Sequence, residues 1–285
     1  MAEREAAQPS LINGPLPHKV VPDLGGARMS AVVLFGVAFI GGTVLVTLVF
    51  YFVMRLIMGG DPTGKDRELA GAIVMRISSL HALILALVFA QEMIEYQQLK
   101  FESVTEANAI ADVYFDADRY GVNEKAPIQQ ALFEYVQIVV DEEWRMLGDT
   151  GQLSPTAWNK WDSVYQRVLD LTPTNVRQQS IREHMLGDVH RIAEARDKRE
   201  NSGTDSISII FWFAAISGLV FMALGYYPYP PDARNLLLLS VLGAFTGIIL
   251  FFIYAFSDPY NPPATMKPTA FERLLDELAN PPPSG

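Results

Sequence analysis

Three stretches of this chain, residues 30–54, 206–231 and 235–257, contain no Asp, Glu, Lys or Arg. A bilayer core is crossed by ~20 consecutive apolar residues, and each stretch reaches that length. No soluble fold of this size needs three such runs, so they are read as membrane-spanning helices. The chain is nevertheless rich in charge, with 22 basic and 32 acidic side chains. The two kinds of residue are segregated, and most of the charge lies between residues 95 and 205.

The organisation follows from that segregation. Residues 1–28 form a Pro- and Gly-containing leader without sustained periodicity. A first transmembrane hairpin occupies 29–95, with spans at about 29–57 and 69–93, joined by the polar connection 58–68. Residues 96–205 make a helical domain in water. A second hairpin occupies 206–257, with spans at about 206–227 and 235–256, and a Pro-rich tail fills 258–285. The fold class is therefore an all-α membrane protein: four transmembrane helices in two hairpins, with a helical cytoplasmic domain between the second and third.

Local signals refine this outline. No Gly or Pro falls between Tyr96 and Tyr120, so the second span continues out of the membrane as one rigid helix to Gly121. Apolar residues at helical spacing predict a helix over 126–147. Ser154 caps a helix whose first position is Pro155, and Thr172-Pro173 repeats that start. Asn201-Ser-Gly reads as a turn, and Phe271-Glu-Arg-Leu-Leu-Asp-Glu-Leu as a short amphipathic helix. Arg55 is placed to snorkel to the interface. Gly36, Gly41 and Gly42 in the first span, and Gly243, Ala244 and Gly247 in the fourth, suit close helix packing.

Four spans put both termini and the 96–205 domain on one side. Near the membrane that side carries Lys19, Arg28, Lys100, Arg191, Arg196, Lys198, Arg199 and Lys267, against Arg55, Lys65, Arg67 and Arg234 opposite. Excess basic charge marks the cytoplasm, so the domain and both termini are expected there, with the chain multi-pass in the cell inner membrane.

Several function classes drop out. With no cysteine, disulfides, thiolate metal sites and thiol nucleophiles are excluded. A net charge of −10 does not suit a polyphosphate partner, so nucleic acid is not expected. Asp116-Ala-Asp118-Arg-Tyr-Gly121 imitates an EF-hand loop, but Pro127 stands where the bidentate Glu is needed. No HExxH, GxGxxG, Walker or GxSxG pattern occurs, so neither an enzyme, a metal nor another cofactor is predicted.

The sharpest signal is polar. Arg76 and His81 interrupt the second span, and ionisable groups at membrane depth face a bundle interior or a wet cavity. Helical spacing aligns Ile77, His81, Ile84, Val88, Glu92 and Glu95, with Arg76 and Ser79 beside them. A pore lined by Arg76, Ser79, His81, Ile84, Val88, Glu92 and Glu95 would run from a cationic mouth through an apolar constriction to an acidic mouth. The alternative is that Arg76 snorkels and His81 bonds a neighbouring helix. Past the membrane, Glu102, Glu106, Asn108 and Asp112 form a polar cluster. It reads as a solvated face, or as partners for Arg182, Arg191 or Arg196 across a helix interface.

The run Leu80-His-Ala-Leu-Ile-Leu-Ala-Leu-Val-Phe-Ala, then Tyr96 and Glu106-Ala-Asn-Ala-Ile-Ala, resembles the bacterial bestrophin-like membrane family. So do His190-Arg-Ile-Ala-Glu-Ala-Arg-Asp-Lys-Arg before the third span, and Asp258-Pro259 with Lys267-Pro268-x-x-Phe271 after the fourth. The resemblance covers roughly 30–275. It implies a distant relation to bestrophins, pentameric anion channels whose second helix lines the pore, with Ile84 and Val88 at the constriction. The aromatic neck stripe and acidic calcium-binding cluster of animal bestrophins are missing, so calcium gating is not implied.

Two readings follow. One is a homo-oligomeric ion channel in the lipid bilayer, pentameric if bestrophin-like, passing inorganic anions. The other is a non-conducting membrane scaffold or sensor that binds a partner through its cytoplasmic helical domain.

Overall fold

The computed structural model describes residues 25–59, 62–204, 207 and 209–280. Among these no strand occurs. Of the predicted leader, residues 1–24 lie outside the described residues, and Gly25–Arg28 instead begin helix α1, Gly25–Met58. Helix α2, Gly64–Tyr120, is one uninterrupted element of 57 residues, about 85 Å long at 1.5 Å per residue. Its start is fixed by a capping box between Thr63 and Asp66. Helix α7 is Ile209–Gly225 and α8 is Ala233–Phe256. Among the described residues three helices (α1, α2 and α8) are long and apolar enough to cross a membrane, while α7 is apolar but has 17 residues.

The members of each predicted hairpin are not each other's main packing partners. Helix α1 lies chiefly against α8, and α2 lies against α7, with further contacts of α1 on α7 and α2 on α8. Small residues set the α1–α8 spacing. A methyl group added at Gly247 would sit 2.0 Å from the Thr43 hydroxyl and 3.2 Å from the Ile40 Cα. Gly243 faces Thr47 and Val44 in the same way. A methyl group added at Gly41 or Gly42 would meet nothing within 4 Å, so close packing within the chain does not require glycine there.

The far end of the bundle is tied by backbone acceptors. Arg55 donates to the carbonyls of Tyr227 and Tyr229, both at 3.0 Å, and Tyr51 donates to the Tyr229 carbonyl at 2.7 Å. Arg67 Nε donates to the Pro228 carbonyl at 3.2 Å. Arg55 thus does more than reach the interface: it satisfies carbonyls of the irregular α7–α8 connection, which would otherwise need water.

On the other side, α6 (Val176–Thr204) runs antiparallel along α2. Helices α3 (Val122–Ile138), α4 (Trp144–Thr150) and α5 (Pro155–Leu169) pack beside them. Helix α9 (Thr269–Ala279) closes the core with Phe271, Leu274 and Leu278. Ser154 caps α5 through its hydroxyl, as the Ser-Pro signal predicts.

Three local expectations change. The predicted 126–147 helix is present, running without a break from α3 into α4, but a π-helical turn at Val139–Glu143 shifts its register. Helix α6 begins at Val176, with Asn175 accepting from the Gln178 N–H at 2.9 Å, so the Thr172-Pro173 start is overridden. Asn201-Ser-Gly lies inside α6, which runs on to Thr204.

Candidate permeation helix and a buried ionic cluster

Helix α2 carries both candidate sites, and its orientation decides what each residue can do. In the apolar bundle its inward face is Val74, His81 and Leu85, with Val88 and Phe89 packed beside them on Ala215, Leu250 and Ile253. His81 is 5% exposed, and its imidazole fills the space over Gly218 of α7, where an added methyl would lie 2.1 Å from Nδ1. Its Nε2 has no hydrogen-bond partner among the described residues. Glu92 is half-buried near the end of this face.

The outward face is different. Arg76, Leu83, Leu87, Ile94 and Phe101 are exposed and recur at helical spacing, so they form one stripe along α2. Ser79, Ile84 and Glu95 are also exposed on its flanks. Of the seven residues predicted to line a pore, the structure therefore turns Arg76, Ser79, Ile84 and Glu95 away from the bundle, and His81 and Val88 toward it. The predicted stripe is thus divided between the two faces of α2, because the positions of α7 and α8 decide which side meets a neighbour.

Beyond the membrane the same helix enters an ionic cluster. Glu106 is 1% exposed. It accepts from the Tyr135 hydroxyl at 2.6 Å and from Arg199 Nη1 at 2.5 Å. Arg199 also donates to Glu143, and Arg196 donates to the other oxygen of Glu143 at 2.6 Å. Two arginines and two carboxylates thus balance, all essentially inaccessible to water. Aromatic rings cover the guanidinium groups: Arg196 stands 4.4 Å from the Trp158 ring centre, and Arg199 5.2 Å from Phe271 and 5.5 Å from Trp144. The Tyr260 hydroxyl, from the segment after α8, donates to the Arg199 carbonyl at 2.9 Å. The π-helical turn is what delivers Glu143 here, because it buries Val139 and Glu143 together.

Burial pushes the Glu106 carboxyl upward, with Arg199 and Tyr135 acting against it. Burial also works against charge on Arg199, but Glu106 and Glu143 outweigh it and hold the guanidinium above its ordinary range. Burial raises the Tyr260 hydroxyl as well. The cluster is a fixed, neutral joint between α2, the π-turn, α6 and the post-α8 segment.

The predicted polar cluster on α2 divides accordingly. Glu102 pairs with Lys198 at 3.0 Å, and Glu106 enters the buried joint, whereas Asn108 and Asp112 stay exposed. Cross-helix partners from α6 exist, but they are Lys198 and Arg199. Arg191 pairs with Asp188 on its own helix, and Arg182 donates to the Leu169 carbonyl. A second link joins the helices further on, where His184 Nδ1 meets Asp116 at 2.7 Å. Glu143, Tyr135, Tyr260 and the His184–Asp116 pair were missed by sequence reasoning. One signal was available for the arginines: Met185, Val189, Ile192, Arg196 and Arg199 continue a single core-facing stripe of alternating four- and three-residue steps.

Among the described residues no group of three or more His, Asp or Glu side chains is arranged to hold a metal. A cavity of about 780 Å³ lies between α1, α4 and the post-α8 segment, lined by Phe35, Trp144, Tyr254 and Tyr260, with Arg145, Asp149 and Glu272 at its polar wall.

Known proteins place this architecture. No match was found among curated proteins. Two point-mutant crystal structures of a bacterial bestrophin homologue from Klebsiella pneumoniae share the fold. One superposes with a TM-score of 0.59 at 11% identity, over 86% of this chain and 99% of that one. The other gives 0.56 at 12% identity, over 84% and 98%. The family model described as a bestrophin-like domain matches residues 41–271. The chain belongs to the bestrophin-like family.

Proposed function

We propose that this protein is a homo-oligomeric ion channel, anion-conducting, with α2 lining a central pore. The observation that carries the proposal is the unpartnered outward face of α2. Leu83, Leu87 and Ile94 leave large apolar surface open, and the stripe continues into Phe101 at 65% and Val104 at 42% exposure, past Glu95 where the helix has left the apolar bundle. Apolar surface of that kind in water marks an interface, and Arg76 on the same face needs shelter at membrane depth. Copies of α2 around an axis meet both needs. The resemblance to bestrophins makes five copies the expected number and inorganic anions the expected cargo.

In this reading α1, α2, α7 and α8 all span an inner membrane, α7 covering about 25 Å with its 17 residues. The helical domain and both termini face the cytoplasm. Arg196 and Arg199 no longer count toward that orientation, because Glu106 and Glu143 neutralise them. Lys19, Arg28, Lys100, Arg191, Lys198 and Lys267 still outnumber the four cations opposite. Purified protein in planar bilayers should give discrete conductance with a chloride-dependent reversal potential, and should run as a ring in nanodiscs. A monomer without conductance across pH and ions would replace this reading with the non-conducting scaffold.

A further inference from the structure

A small cavity of about 280 Å³ lies between α2 and α9, apart from the outward stripe's membrane section and from the ionic joint. Three cations line it: Lys100 from α2, Lys267 just before α9, and Arg273 from the second turn of α9. No Asp or Glu among the described residues lines it. None of the three has an ion-pair or hydrogen-bond partner among the described residues, although salt bridges to Lys125, Lys160 and Lys198 form elsewhere on this domain. Tyr96, Ser103, Thr265 and Thr269 are the other polar residues of its lining. Helix α9 also starts there without a side-chain cap, since Pro268 can offer none.

Converging like charges repel unless they share a counter-charge. Phe271, sealed in the core, anchors the start of α9 and so places Lys267 and Arg273, both exposed like Lys100, around the same cavity. The height of the cavity is set by Tyr96, whose ring stands 5.3 Å from Phe256, the last residue of α8. The cavity therefore sits beside the end of α8, the level at which lipid phosphates would lie in the membrane orientation proposed above.

We infer that Lys100, Lys267 and Arg273 form a binding site for a phosphate group. Two lysines supply point charges and Arg273 a planar fork, the combination suited to phosphate oxygens. The group can come from an anionic phospholipid at the membrane surface or from a soluble phosphate. The site does not rest on the pore reading, because its test reads phosphate binding and not conductance.

The test uses the full chain in phosphatidylcholine nanodiscs, with two probes: inorganic phosphate followed by phosphorus NMR, and phosphatidic acid followed by native mass spectrometry. The K100Q/K267Q/R273Q variant should bind about tenfold more weakly or worse, while R145Q/R167Q/R177Q, which removes equal charge elsewhere, should match wild type. Loss for both probes supports a site for phosphate as such. Loss for phosphatidic acid alone supports the lipid headgroup, and loss for inorganic phosphate alone supports a soluble ligand. Equal binding by the two triple variants, or no binding of either probe to wild type, overturns the inference. A measurement on wild type needs no variant: phosphatidic acid should slow acetylation of Lys100 and Lys267 several-fold relative to Lys125, and equal rates would count against the site.

Discussion

Glu106 and Arg199 are 93 residues apart in the chain and meet at 2.5 Å, each 1% exposed, in the core beneath the membrane bundle. One belongs to the helix that runs on from the second span and the other to the helix that leads into the third apolar segment. The contact therefore ties the orientation of α2 to the segment that re-enters the bundle. Charges so deep in a protein are retained only when paired, because removing one partner strands the other.

Arg199→Ala should accordingly destabilise the helical domain by about 3–5 kcal/mol, since it leaves Glu106 and Glu143 without their shared donor. Glu106→Gln should cost less, about 1–3 kcal/mol, because an amide oxygen still accepts from Tyr135. Chemical unfolding followed by circular dichroism in detergent measures both. Equal stability of Arg199→Ala and wild type would mean that the cluster is not closed.

Gly218 and His81 make a second coupled pair. A methyl at position 218 would strike the imidazole 2.1 Å away, so Gly218→Ala should cost about 1–3 kcal/mol by overpacking. His81→Ala should remove the clash, and the double variant should recover much of the loss. Additive effects in a thermal double-mutant cycle would show that the two residues do not touch.

His184 predicts a pH dependence. Its hydrogen bond to Asp116, aided by Asp188 and Asp112 and opposed by slight burial, holds the imidazole above its ordinary value of 6.5. A group titrating higher when folded stabilises fully below its unfolded value and loses that contribution as pH rises through the folded one. The stability difference between wild type and His184→Asn should be greatest below pH 6.5 and shrink as pH climbs past the raised value. A difference that stays flat from about pH 5.5 to 9 would show that the pair does not stabilise the fold.

The absence of cysteine makes the proposed pore face directly measurable. Single cysteines at Leu83 or Leu87 should react with a charged thiol reagent and reduce current, while cysteines at Leu85 or Val88, which face Ala215 and Ile253, should not. Block from the second set and silence from the first would move the conduction path to the other side of α2.

Much of this arrangement is legible in the residues. Uninterrupted Ala, Glu, Gln and Asp after Tyr96 make α2 continuous to Tyr120, and Ser154-Pro155 starts α5. The Phe271–Leu278 periodicity gives α9 its core face. The π-helical turn at Val139–Glu143 left no mark, because neither Gly nor Pro accompanies it and its register is set by what Glu143 reaches. The Asn201-Ser-Gly turn failed for a related reason: local turn preference is worth little where Lys198 and Arg199 are already held by Glu102 and Glu106.

The sequence by itself determined where the apolar helices would lie, that α2 runs unbroken to Tyr120, and where α5 begins. Those properties are local, because hydrophobic length and helix breakers act on the segment that carries them. Tertiary structure alone decided that α1 pairs with α8 and α2 with α7, that His81 faces Gly218, and that Arg196 and Arg199 are neutralised in the core. Each depends on surfaces brought together across long loops of chain, where close packing and charge pairing select among faces that hydropathy leaves equivalent.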